Sequence, residues 1–85
     1  MTTRIETRSA YSTEEHATTD LGCAAFLMTR GHPLLKVERG AGGRCTFRFP
    51  AAAREIAQGF YAGAQVPARA FANSLRDLKT LIREL

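Results

Sequence analysis

The sequence predicts one small α+β domain in the order α-β-β-α-α, with a two-stranded antiparallel hairpin packed on helices. Three observations carry this expectation. Apolar residues recur at helical spacing near residues 21–28, 53–60 and 71–85. Apolar and polar residues alternate on either side of the glycine-rich Gly40-Ala41-Gly42-Gly43. Glycine and proline punctuate the junctions at Gly31-His32-Pro33, at Pro50 and between Gly63 and Pro67.

Residues 1–17 are rich in Thr, Ser, Glu and Arg, and Ile5 and Tyr11 are their only sizeable apolar groups. Such a stretch cannot bury enough surface to offset its ordering entropy, so a flexible N-terminal arm is expected there and a single domain over residues 18–85. The first helix is expected from about Thr19 to Arg30. Asp20 suits its N-cap, and Leu21, Ala24, Ala25 and Met28 share a face at i, i+3, i+4 and i+7, widened by Phe26 and Leu27. Gly31 falls at the left-handed C′ position and Pro33 forbids continuation. His32 beside it is expected to bond the last helix carbonyls through its imidazole.

Leu34 to Phe49 reads as the hairpin. Cys45, Phe47 and Phe49 should face inward with Leu35 and Val37, leaving Lys36, Glu38, Arg44 and Arg48 on a polar face. A lone hairpin is marginal in water, so helices must cover its apolar side. The second helix follows Pro50 and runs to about Ala62, with Ala53, Ile56, Ala57 and Phe60 inward and Gly63 as its stop. Gly59 within it suggests a close approach. The third helix starts near Pro67 and reaches the C-terminus. Phe71, Leu75, Leu78, Ile82 and Leu85 form its stripe, while Arg76, Lys79 and Arg83 occupy its other faces.

The net charge of +4 is uneven. Residues 1–19 carry two basic and three acidic groups, whereas residues 20–85 carry ten basic and five acidic ones. Ten of the twelve basic residues are arginines, which pair bidentately with phosphate or carboxylate. Lys36, Arg39, Arg44 and Arg48 cluster on and beside the hairpin, and a two-stranded ribbon fits a DNA major groove. These four are the candidate nucleic-acid contacts for DNA or RNA. A domain this small is marginal alone. Tyr61, Leu78, Leu81 and Leu85 are therefore a candidate face for a homodimer or a larger protein partner.

No catalytic residues, metal site or cofactor are expected. Cys23 and His32 lack an orienting third group. Two Cys and two His without ligand spacing make no metal site. Gly40–Gly43 matches a phosphate loop only in glycine content. Cys23 and Cys45 are read as buried thiols of a reducing compartment. The N-terminus has no apolar signal region and no run approaches a membrane span, so a cytoplasmic, non-enzymatic accessory protein is expected.

The stretches Thr19-Asp20-Leu21-Gly22-Cys23-Ala24-Ala25-Phe26-Leu27, Arg30-Gly31-His32, Val37-Glu38-Arg39, Arg44-Cys45-Thr46-Phe47 and Val66-Pro67-Ala68-Arg69-Ala70-Phe71-Ala72-Asn73, with Leu75-Arg76-Asp77-Leu78-Lys79, form a pattern. It resembles the small bacterial and phage proteins grouped as domain of unknown function family 5659, over about residues 19–82. The resemblance implies a short standalone protein, often carried by mobile elements, with an accessory or regulatory role. It supplies no catalytic residues.

Overall fold

The computed structural model describes residues 15–85. They form β1 (His16–Thr18), α1 (Leu21–Thr29), β2 (Lys36–Arg39), β3 (Cys45–Phe49), α2 (Ala53–Tyr61) and α3 (Ala68–Arg83), with a 3-10 turn at Ala41–Gly43. The sheet has three strands, all antiparallel, in the order β1-β3-β2. This corrects the expected two-stranded hairpin. The arm expected over residues 1–17 lies outside the described residues as far as residue 14. Its end does not, because His16 and Ala17 enter β1 opposite Phe49 and Arg48. Three residues are too short a run to carry a strand signal of their own; pairing with β3 creates the strand.

The alternation of β3 behaves as expected. Cys45, Phe47 and Phe49 are buried, while Thr46 and Arg48 between them are half-buried. Val37 pairs with Phe47 and packs against the core. Leu35 departs from expectation: it precedes β2 and is 50% exposed, and Leu34 packs inward instead. The turn uses glycine where backbone geometry demands it, with φ of 74° at Gly42 and 79° at Gly43.

Helix α1 is buried on more than one face, from Cys23 through Leu27. It packs against α3 above all, then against α2. A helix apolar on most sides belongs inside a domain: Phe26 and Leu27 widen the stripe as expected, while Leu21 and Met28 lie at the core's margin. The helix begins where Asp20 Oδ1 accepts the Cys23 amide at 3.1 Å. It ends in a paired cap. Gly31, at φ 91°, donates to the Met28 carbonyl and His32 donates its backbone amide to Leu27, both at 3.0 Å. His32 thus serves the helix end through its main chain rather than through the expected imidazole.

Ala53 and Ala57 of α2 and Leu78 of α3 complete the core with Phe26, Phe47 and Phe49. Phe71, Leu75 and Ile82 pack against it, so the α3 stripe is core-facing as far as Ile82, while Leu85 emerges at 55% exposure. Gly59 does not mark the close approach expected of it, since a side chain there would meet only Ala64, at 3.6 Å. The tight site is Gly22, where an added Cβ would lie 3.1 Å from the Phe60 ring. Both cysteines are buried and free, one on a helix and one on a strand.

Candidate functional site

The four basic residues expected on the hairpin do not form one free patch. Arg48 sits on the central strand, directly across from Lys36 on β2 and from Ala17 on β1. Glu38 stands two residues beyond Lys36 on the same face. Its carboxylate accepts Arg48 Nε at 2.8 Å and pairs with Lys36 Nζ at 3.3 Å. Glu15 approaches the Arg48 guanidinium from the other side at 3.9 Å. Two cations therefore meet two carboxylates. The Arg48 hydrogen bond, joined by that of Lys36, holds the Glu38 carboxyl below its usual range. Arg39 pairs across the strands with Cys45, and its Nη2 donates to the Ile82 carbonyl at 2.7 Å, near the C-terminal end of α3. The Arg44 side chain alone of the four has no polar or charged partner among the described residues. It borders an open depression of about 350 Å³ floored by Leu21, Phe47 and Ile82.

Helix α3 carries a further line of cations. At about 100° per residue, Arg69, Arg76 and Arg83 lie within about 40° of the line opposite Leu78. Leu78 is fully buried, and the three arginines are exposed. Their spacing of seven places successive guanidinium-bearing positions about 10 Å apart and spans about 21 Å of helix. Lys79 and Ala72 flank the crest on one side; Asp77 and Glu84 lie on the other. Arg76 Nη1 donates to Asn73 Oδ1 at 3.0 Å and Arg83 Nη2 lies 3.4 Å from the Thr80 hydroxyl. None of Arg69, Arg76, Lys79 and Arg83 has a carboxylate partner among the described residues. The sequence holds the signal that finds this line: three arginines at a period of seven, in step with the apolar stripe beneath them.

The expected partner face divides. Leu78 belongs to the core at 0% exposure, so it is withdrawn from any contact surface. Leu81 and Leu85 remain 41% and 55% exposed, one turn apart. Tyr61 is exposed along its ring, but its hydroxyl donates to Asp20 Oδ2 at 3.0 Å and the ring meets Phe60 edge-on. Leu35 joins the exposed aliphatics and was missed because strand alternation assigns it inward.

A second depression, of about 300 Å³, is bordered by His16, Cys23, Arg54, Gln58 and Tyr61. Burial raises the Cys23 thiol above its usual value, which favours the thiol over the nucleophilic thiolate. Partial burial, then the nearby Arg54 charge, lowers His16. His32 does not border it. Among the described residues no three His, Cys, Asp or Glu side chains stand together as a metal-holding group. None of their helices is long and apolar enough to cross a membrane.

Comparison with known protein families, with curated proteins and with solved structures finds no match to this chain.

Proposed function

We propose that this chain is a non-enzymatic accessory protein that binds nucleic acid, and that its contact surface is the crest of α3 rather than the polar face of the hairpin. The observation that carries this reading is the line Arg69, Arg76 and Arg83, exposed opposite buried Leu78 and without carboxylate partners among the described residues. On the hairpin a phosphate would have to displace Glu38 and Glu15 from Arg48. On α3 it displaces only neutral partners, Asn73 and Thr80. The crest offers no large apolar group, whereas the centre of a protein interface is apolar and depleted in charge. Phosphate contacts need only cations and polar groups. The apolar side of α3 packs on the core, which removes it from insertion into a lipid surface. Membership of the family resembled above would accord with an accessory role.

A fluorescence-anisotropy titration with labelled oligonucleotides at several salt concentrations tests the proposal. Three phosphate contacts on duplex DNA, from Arg69, Lys79 and Arg83, give a log–log salt slope of about −2.7. Replacing Arg69, Arg76 and Arg83 together by Gln should flatten it by about 1.8. The pair Lys36→Gln and Arg48→Gln should leave it within experimental scatter. Absence of binding at low salt, or a loss carried by the hairpin pair instead, overturns the reading.

The exposed Leu35, Leu81 and Leu85 favour a second reading, a protein-interaction module. It predicts a dimer mass in solution, or a hetero-partner, that Leu81→Asp and Leu85→Asp disrupt.

A further inference from the structure

The α3 crest is graded along its length, and the grading bears on which nucleic acid it fits. Arg69 and Arg83 stand near its two ends, about 21 Å apart. Between them the groups on the crest line itself, Arg76 apart, are short: exposed Ala72 and Asn73 precede Arg76, and half-buried Thr80 follows it. Ala68, Ala70 and Ala72 keep the N-terminal half slim. Nothing bulky on this side holds the helix backbone away from a surface it approaches. The middle is occupied by Asn73 and Arg76, coupled through the 3.0 Å bond from Arg76 Nη1 to Asn73 Oδ1. That bond orients both side chains outward and leaves the Asn73 amide hydrogens and the remaining guanidinium N–H groups available. Asn and Arg are the side chains whose donor and acceptor geometry matches the edges of adenine and guanine.

The flanks differ in sign. Asp77 and Glu84 repel phosphates from one flank, while Lys79 attracts them to the other. The helix therefore has a preferred roll against a polyanion. A slim helix of about 10–12 Å diameter matches a B-form major groove about 12 Å wide. Its 21 Å span corresponds to about six base-pair rises of 3.4 Å. The A-form major groove of duplex RNA is too deep and narrow for side chains to read. Single strands need stacking rings, and this crest has none. Phe71 faces the core from the same helix, Phe26, Phe47 and Phe49 are buried, and Tyr61 is bonded to Asp20.

We infer that the partner is duplex DNA, with α3 lying in its major groove, the Asn73–Arg76 pair on the base edges, and Arg69, Lys79 and Arg83 on the phosphates. This rests on the reading of the α3 crest as the nucleic-acid surface.

The test is selection from a random-sequence DNA duplex pool, followed by titration of the enriched duplex, a scrambled duplex, the matching RNA duplex and a single strand at one salt concentration. The expected result is an enriched motif of about six base pairs and DNA duplex binding at least about tenfold tighter than RNA duplex. Asn73→Ala should reduce the preference for motif over scrambled duplex by about 5- to 160-fold while leaving the salt slope unchanged. Arg69→Gln should flatten the slope by about 0.9 without changing the motif. Circular dichroism on both variants confirms that the helix persists. Equal binding of RNA or single strand, an unenriched pool, or an Asn73→Ala effect confined to the slope overturns the groove assignment while binding itself survives. Absence of binding to all four probes overturns the functional reading beneath it as well.

Discussion

Asp20 joins two ends of the fold through one carboxylate, and removing it has a calculable consequence. Its Oδ1 accepts the amide of Cys23, the third residue of α1, and its Oδ2 accepts the Tyr61 hydroxyl at the end of α2. Loss of an N-cap costs about 1 kcal/mol. The Tyr61 bond adds about 0.5 kcal/mol, below the range of a buried bond to a charged group, because the ring is largely exposed and water competes. Asp20→Ala should therefore destabilise the domain by about 1.5 kcal/mol, which for a chain of this size lowers Tm by about 6–12 °C. Tyr61→Phe should lose only about 0.5 kcal/mol, since the ring keeps its edge contact with Phe60. The double variant should be no worse than Asp20→Ala, because the hydroxyl has then already lost its acceptor. Asp20→Asn, which retains a capping oxygen, should recover most of the difference. Urea unfolding followed by circular dichroism measures all four, with an unchanged m-value as the check that only stability has moved. If Asp20→Ala costs no more than Tyr61→Phe, the cap is energetically empty. If the two single losses simply add, the carboxylate–phenol bond contributes nothing.

Two further measurements test the local chemistry. Gly59→Ala should stabilise α2 by about 0.5–1 kcal/mol, because a methyl there meets only Ala64 at ordinary contact distance. Gly31→Ala should destabilise by about 1–2 kcal/mol although its surroundings are open, because φ is 91°; unfolding curves of opposite displacement check the pair. Stability should also fall at both ends of the pH range. Partial burial and the bond to Asp20 push the Tyr61 phenol above its usual 10.0. Its contribution, small because the ring is largely exposed, is thus complete below pH 10 and lost as pH rises through the raised value. Glu38 lies below its usual 4.5, so its contribution is present above that value and lost as pH falls through the lowered one. Tyr61→Phe should flatten the alkaline limb and Glu38→Gln part of the acid limb of a chemical-denaturation series against pH.

The sequence by itself determined the local features. Asp20 as a cap, Gly31 as a left-handed stop, the glycine turn and the inward Cys45, Phe47 and Phe49 all follow from residue chemistry acting within a few positions. The helices followed from periodicity, because a 3.6-residue repeat of apolar groups needs no partner to be recognised. Tertiary structure decided whatever depended on a neighbour distant in the chain. His16–Thr18 is a strand only because β3 offers it an edge. Leu78 and Leu85 look alike in the stripe, yet one is sealed by the core and the other emerges past it. The charge pattern shows the same division most sharply. Arg39, Arg44 and Arg48 look equivalent in a linear count, but the fold sets Arg39 against the end of α3 and Arg48 against Glu38 and Glu15, leaving the Arg44 side chain unpartnered among the described residues. Charge is a property of a residue, whereas field is a property of an arrangement. The period of seven in Arg69, Arg76 and Arg83 is legible in the sequence, but that the line stands exposed opposite buried Leu78, without carboxylate partners among the described residues, is the work of the packing around it.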